Sequence, residues 1–401
     1  MTWGHTGATP AVAPSRAAAD VARQVSSSVG LPPAARPRNR GLLVLGILAI
    51  ALAAIVLLVV ALYVALSLGP VATLAGGLMA LVPLAIVLAG VRWIDRWDPE
   101  PRGILAFSFL WGAGVAVLVA VGVGLELDDV FASRGIAPSE FLASVVQAPL
   151  LEEGAKGLGL LLVFLVARRH FDGPVDGVVY AAWIAGGFAF TENILYFGVE
   201  VQLAGGIDQD VVSLFFVRGL MSPYAHVMFT ACTGLALGFA ARRASALASV
   251  GVFLLGLVPA ILLHALWNGA LQIVPDFLGY YAIVQVPLFV GGIVLVVYLR
   301  SQEEKLTYLR LSEYAGAGWF SPGEVVSLAT GTGRRQARSW ALSRGVWPIM
   351  RRYTRDATRL AFTRQRILVG RHPEAARVDE RELLTAIVDE RALLQAALSR
   401  R

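Results

Sequence analysis

The sequence predicts an all-α integral membrane protein, and three observations carry that prediction: an oily composition, apolar runs of membrane-crossing length, and linkers whose charge alternates in sign. Of the 401 residues, 57% are hydrophobic and 15% charged, and the mean hydropathy is +0.67. Ordinary soluble domains are only roughly 45–50% apolar. Crossing about 30 Å of hydrocarbon takes about 20 mostly apolar residues at ~1.5 Å per residue. About eight transmembrane helices are expected, over 41–68, 70–91, 103–125, 139–167, 176–198, 219–241, 249–272 and 280–299.

The linkers support that count. On one side fall Arg92, Arg96 and Arg102, then Arg168 and Arg169, then Arg242 and Arg243. On the other fall Glu126, Asp128 and Asp129 with one Arg134, then Glu200, Asp208 and Asp210, then Asp276. Insertion favours Arg and Lys in the cytoplasm, so both termini are expected there. The weakest boundary is 199–220, where VVSLFFVRGL could dip into the interface before the sixth span. The first run is too long, and begins too far in, for a cleaved signal peptide.

Three regions follow. Residues 1–40, with five Arg and one Asp among Ala, Pro and Ser, read as a disordered basic tail. Residues 41–299 form the polytopic membrane domain. Residues 300–401 read as an Arg-rich, small helical cytosolic appendage, with helical patches such as RELLTAIVDERALLQAAL broken by the Gly-rich GTGRR. Its charge suits anionic lipid or a partner, and nucleic acid is not expected. Cys232 lies in an apolar run with no second cysteine to pair with, and reads as a small core residue.

Several spans contain ionisable residues, which cost at least ~2.5–3.5 kcal/mol deep in a bilayer and so face a bundle interior or an aqueous cavity. Glu152, Glu153 and Lys156 lie in the fourth span, Glu192 with Asn193 in the fifth, His226 in the sixth, and His264 with Asn268 in the seventh. Counted from the cytoplasmic end of each span, Glu152, Glu192, His226 and His264 all fall about 15 residues in, at a common depth of roughly 22–24 Å. Within helices, Glu152 and Lys156 share a face, as do Glu192 and Tyr196, and His264 and Asn268. Small neighbours such as Gly154, Gly157, Gly186 and Gly187 let membrane helices approach closely. The chain uses thirty-two Arg but only two Lys, and one of those two is Lys156, at this layer.

Each polar residue alone has a structural reading: an ion pair for Glu152 or Glu153 with Lys156, an interhelical bond for Glu192, an interfacial or kink-capping role for the histidines. Gathered in one layer, carboxylates and imidazoles can hold a divalent metal or activate water directly, with His or Asn stabilising an oxyanion. No nucleophile elbow, phosphate loop or HExxH helix is present, which leaves water-mediated hydrolysis of a membrane-embedded substrate. A proton- or cation-coupled transporter is the alternative, although no internal repeat supports it.

At these residues the sequence resembles the PrsW family of intramembrane proteases, relatives of the type II CAAX-processing and bacteriocin-processing proteases. The likeness runs over about 80–300, through DRWDPEP (95–101), EEGAK (152–156), DGVVYAAWIAGGFAFTENILYF (176–197), SPYAHVMFT (222–230) and HALWN (264–268). The resemblance implies an intramembrane endopeptidase of a bacterial plasma membrane, acting on a membrane-embedded protein such as an anti-sigma factor. It implies Glu152 as the base that activates water, with Glu153 and Lys156 in support. Glu192 falls on the family's FxxxE glutamate after Phe188, and His226 and His264 fall on its buried histidines. Glu192, His226 and His264 would be the ligands of a divalent metal such as zinc, while a metal-free mechanism suits the same residues. Asn268 stands where the family pattern has aspartate, closer to the HxxxN of the CAAX-type relatives.

Overall fold

The computed structural model describes residues 40–243, 246–371 and 373–400, and every regular element among them is helical. The predicted basic tail lies outside the described residues except for Arg40, where α1 (Arg40–Ile94) begins. Among the described residues, six helical stretches are long and apolar enough to cross a membrane: Leu43–Ile94, Arg102–Ser133, Pro174–Ala204, Gln209–Ala241, Ala248–Ile273 and Phe277–Gly316. The chain is thus a multi-span membrane protein.

α1 is two arms rather than one rod. Gly69 adopts φ +75° and ψ 166°, a conformation that glycine takes freely, and Pro70 opens the next arm with its φ already set for a helix. Contacts show the chain reversing there. Gly114 backs onto Leu57, Gln202 donates to the Leu68 carbonyl at 3.3 Å, Gly76 backs onto Ile194 and Gly198, and Val87 meets Gly186. Gly187 of α6 backs onto Ala113, so Leu57 lies near the level of 187; the levels met along α6 climb from there to 202 and then fall back to 186, and the arms are antiparallel.

α2 (Arg102–Leu110) runs through a π-helical turn, Trp111–Ala116, into α3 (Val117–Ser133). α4 (Glu140–Leu142) passes through a second π turn, Ala143–Gln147, into α5 (Ala148–Val166), which carries Glu152, Glu153 and Lys156. α6 (Pro174–Ala204) is the most buried of the long membrane helices. α7 (Gln209–Phe215) ends in a third π turn, Phe216–Met221, and α8 (Ala225–Arg243) follows the irregular Ser222–Tyr224. α9 (Ala246–Ile273), α10 (Phe277–Tyr280), a fourth π turn at Tyr281–Gln285 and α11 (Val286–Gly316) complete the series. The stretch VVSLFFVRGL is therefore helical, and the break falls just after it.

α6 and α8 meet with almost no space between them. A Cβ added to Gly177 would stand 1.9 Å from the Gly234 carbonyl oxygen, and one added to Gly234 would stand 2.2 Å from the Gly177 carbonyl oxygen. This backbone-to-backbone approach brings Glu192 on α6 within reach of His226 on α8.

The loop between α1 and α2 holds DRWDPEP. Asp95 accepts the Glu100 backbone N–H at 3.0 Å, the Tyr180 hydroxyl donates to Glu100, and Asp176 accepts the N–H groups of Asp172 and Gly173. Burial pushes the Asp95 carboxyl up to about 6, and burial beside Asp176 raises Glu100 well above its ordinary value. Both groups hold a proton more tightly folded than unfolded. Stability is therefore lost as pH rises, for Asp95 across 3.8 to about 6 and for Glu100 from 4.5 upward. Glu100→Gln is expected to raise the unfolding midpoint of the solubilised protein at pH 8 and to change it little at pH 4.5, as thermal unfolding at the two pH values will report.

The residues from 301 onward form a separate compact unit. α12 (Pro322–Ala329), α13 (Gly331–Ser343), α14 (Trp347–Leu368) and α15 (Pro373–Ser399) enclose a core that includes Tyr314, Leu328, Met350, Leu360 and Ile387. GTGRR does not break the helix from within. Thr330 caps α13 by accepting from the Gly333 N–H, and the glycines occupy its first turn.

Candidate active site

Four membrane helices bring their ionisable groups to one place. On α5, Lys156 has 0% of its surface exposed and Glu153 1%. The Lys156 ammonium lies 2.6 Å from Glu153 Oε1, 3.6 Å from Glu152 Oε2 and 3.2 Å from His226 Nδ1. Its charge also sits 4.2 Å from the centre of the Phe188 ring. A lysine this deep is tolerable because carboxylate, imidazole and ring face together replace its water.

Glu153 is saturated. Besides Lys156 it receives the Thr230 hydroxyl on Oε2 at 2.8 Å and faces His264 Nδ1 from Oε1 at 3.1 Å. A carboxylate accepts only, so His264 donates through Nδ1, which leaves the lone pair on Nε2. Phe229 stacks on the same imidazole, with ring centres 5.0 Å apart and 20° between planes. His264 Nε2 then faces Glu152 Oε2 at 3.8 Å.

Glu152 differs from its neighbour in kind. Its side chain retains 14% exposure, and its Oε2 makes no hydrogen bond. Glu192 accepts from His226 Nε2 at 2.8 Å, and the same oxygen accepts Arg218 Nη2 at 2.7 Å. His226 therefore donates through Nε2 to Glu192 and receives the Lys156 ammonium on Nδ1.

Asn268, expected with the others, lies apart from these contacts. Its Nδ2 donates at 2.8 Å to the carbonyl of Ser144, inside the π turn of Ala143–Gln147. Two of the other π turns, Trp111–Ala116 and Phe216–Met221, likewise offer a carbonyl to a side-chain donor. Thr191 donates to Ala113, Ser222 to Val217 and the Tyr281 hydroxyl to Met221, the last residue of the third π turn. The Asn268, Thr191 and Tyr281 bonds tie the helices around the site to one another, and Trp111 adds a bond from Nε1 to the Ala155 carbonyl beside Lys156.

Glu152, His226 and His264 can each offer one ligand atom such that the three lie within 4.8 Å of one another. Glu192, assigned to the ligand set on sequence grounds, is engaged by His226 and Arg218 instead. Two histidines with one glutamate form a recognised zinc donor set, and the unbonded Glu152 Oε2 is a lone pair awaiting a partner. Glu152 Oε2 and His264 Nε2 are open to a divalent cation, and His226 would complete the set through Nδ1 once the Lys156 ammonium, 3.2 Å away, gives up that contact.

A narrow pocket of about 20 Å³ beside this cluster is lined by Pro83, Val87, Gly186, Asn193, Arg218 and His226. Arg218 and Thr230 were not singled out by sequence reasoning. Arg218 had a signal, an arginine inside the apolar VVSLFFVRGL. Thr230 closes the SPYAHVMFT stretch, but threonine is common in membrane helices and its spacing gave it no role of its own.

The profile of the PrsW family intramembrane metalloprotease matches residues 100–292. Protease PrsW of Clostridioides difficile (strain 630) is 34% identical over 161 residues, covering 39% of this chain and 62% of that protein. Protease PrsW of Bacillus subtilis (strain 168) is 29% identical over 186 residues, 46% of this chain and 78% of the relative. Protease PrsW of Geobacillus kaustophilus (strain HTA426) is 31% identical over 144 residues, 36% of this chain and 57% of the relative. No solved structure matches. The matched stretch holds Glu152, Glu153, Lys156, Glu192, Arg218, His226 and His264, and over residues 100–292 this chain is similar to the PrsW family.

Proposed function

We propose that this protein is an intramembrane endopeptidase that hydrolyses a peptide bond in or near a membrane-embedded protein segment, with Glu152 as the base. The observation that carries the reading is the pairing of two adjacent glutamates with opposite fates: Glu153 is sealed and fully bonded, while Glu152 is partly exposed with a free oxygen facing the lone-pair nitrogen of His264. A general base must be reachable and must have an unused lone pair.

In this mechanism a water molecule lies between Glu152 Oε2 and His264 Nε2. Glu152 takes its proton as the oxygen attacks the scissile carbonyl carbon. The tetrahedral intermediate then expels the amide nitrogen, which takes the proton back from Glu152. Lys156, 3.6 Å from Glu152, offsets the negative charge of the carboxylate cluster, and Glu153 holds both Lys156 and His264 in position. In a metal-loaded form Glu152, His226 and His264 would instead be the ligands of a divalent cation such as zinc, which would supply Lewis acidity and a more acidic water, and Glu152 Oε2 would then serve as ligand rather than base.

Eight spans suit this reading better than six. The reversal at Gly69 makes two spans of α1, and the helix over 140–166 adds one more despite its three charges. The basic linkers support a reading with both termini in the cytoplasm of a bacterial cell. A substrate segment would enter on the side of the pocket beside His226, and an anti-sigma-factor-like single-span protein fits that route.

The test is reconstitution of the purified protein in liposomes with doubly tagged single-span membrane proteins from the host. Release of paired fragments that Glu152→Gln abolishes supports the proposal. Coupled ion uptake without any cleavage would sink it in favour of a transporter. Metal analysis of the same preparation, with activity read before and after chelation, tests the zinc ligand set.

A further inference from the structure

The endopeptidase reading leaves Arg218 without a task, yet its placement is specific. Its guanidinium donates from Nη2 to Glu192 Oε2 at 2.7 Å and from Nε to Asn193 Oδ1 at 3.3 Å, and it lies 3.7 Å from the centre of the Tyr196 ring. Three consecutive contacts along one helix, at 192, 193 and 196, fix a single planar group. The backbone beneath it is fixed as well. Arg218 sits within the π turn Phe216–Met221, where Ser222 returns both its N–H and its hydroxyl to the Val217 carbonyl, and the Tyr281 hydroxyl bonds the Met221 carbonyl.

We infer that Arg218 is a positioning residue for catalysis, holding the Glu192 carboxylate so that His226 is locked in its Nε2–H tautomer with Nδ1 turned toward Lys156 and the reacting layer. The inference rests on the endopeptidase reading and goes beyond it, because Arg218 belongs to none of the motifs from which that reading was built. The geometry supports it through one shared atom: Glu192 Oε2 receives both Arg218 Nη2 and His226 Nε2. Removing the arginine frees the carboxylate to rotate, and His226 then loses the acceptor that selects its tautomer. The fork matters as well as the charge. Lysine would deliver a cation to Glu192 but could not also hold Asn193 while lying flat on Tyr196.

Arg218→Gln is expected to lower kcat by about 10–100-fold, with KM changed less than about threefold, because support for a working histidine is lost rather than binding surface. Arg218→Lys is expected to fall between that variant and the native protein. In the double variant Arg218→Gln with Glu192→Gln, the loss should be no deeper than that of the more damaged single variant, since both act through one oxygen. Nitrogen NMR of histidine-labelled protein in liposomes reads the same claim without substrate: His226 shows a protonated Nε2 in the native chain and a mixture of tautomers in Arg218→Gln. Native kcat in Arg218→Lys, losses that multiply in the double variant, or an unchanged His226 signature would each overturn the assignment. A native protein that cleaves nothing would remove the endopeptidase reading, while the nitrogen signature would still decide whether Arg218 governs His226.

Discussion

Glu152→Gln is expected to reduce cleavage by about 10²–10⁴-fold, the usual range for loss of a positioned general base, while stability stays within about 1 kcal/mol of the native protein. The two halves of that expectation have separate causes. Glutamine keeps the shape of the side chain and offers an acceptor in the same place, but it cannot take a proton from water. Stability is spared because Glu152 Oε2 contributes no hydrogen bond to the fold, and its nearest polar neighbours, the Lys156 ammonium and the neutral His264 Nε2, stand at 3.6 and 3.8 Å. Fragment release by the reconstituted protein measures the first half, and thermal unfolding in detergent the second. A variant that retains most of its cleavage would remove Glu152 from the mechanism.

Glu153→Ala is expected to do a different damage, costing about 3–5 kcal/mol of stability and losing activity as well, because Lys156 and His264 are no longer held in position. Lys156 would be left as an ammonium with 0% exposure and without its 2.6 Å partner, and the Thr230 hydroxyl and His264 Nδ1–H would lose their acceptor. The partial remedy identifies the cause: adding Lys156→Met to Glu153→Leu should recover much of the unfolding midpoint without recovering cleavage, because the unpaired buried charge is gone. Unfolding followed by tryptophan fluorescence distinguishes the outcomes. A Glu153→Ala protein as stable as the native one would show that Lys156 finds its compensation elsewhere.

The contrast between neighbouring glutamates was beyond the reach of sequence. Both are ionisable, both lie on one turn of one helix, and spacing treats them alike. Their difference arises from what other helices bring to each: Thr230 from α8 and His264 from α9 meet Glu153, whereas no donor reaches Glu152 Oε2. The alternation of span directions was legible, and with it the shared depth of Glu152, Glu192, His226 and His264, because rise per residue is fixed in a helix. Asn268 had the right depth and the right face relative to His264, yet it bonds the Ser144 carbonyl. The π turn that frees this carbonyl has no residue signature in the chain.

What the sequence determined by itself is the solvent and the chemistry. Apolar runs of membrane length dictate helices, linker charges dictate their alternation, and carboxylates with imidazoles at one depth dictate a polar layer that must be enclosed. Only the tertiary structure decided who touches whom within that layer. Depth is a one-dimensional property that counting residues can recover, but rotation about each helix axis and the choice of neighbours depend on close approaches such as Gly177 against Gly234 and on π turns that shift helical phase. Those contacts seal Glu153, leave Glu152 free, and bring an arginine from an uncertain boundary onto Glu192.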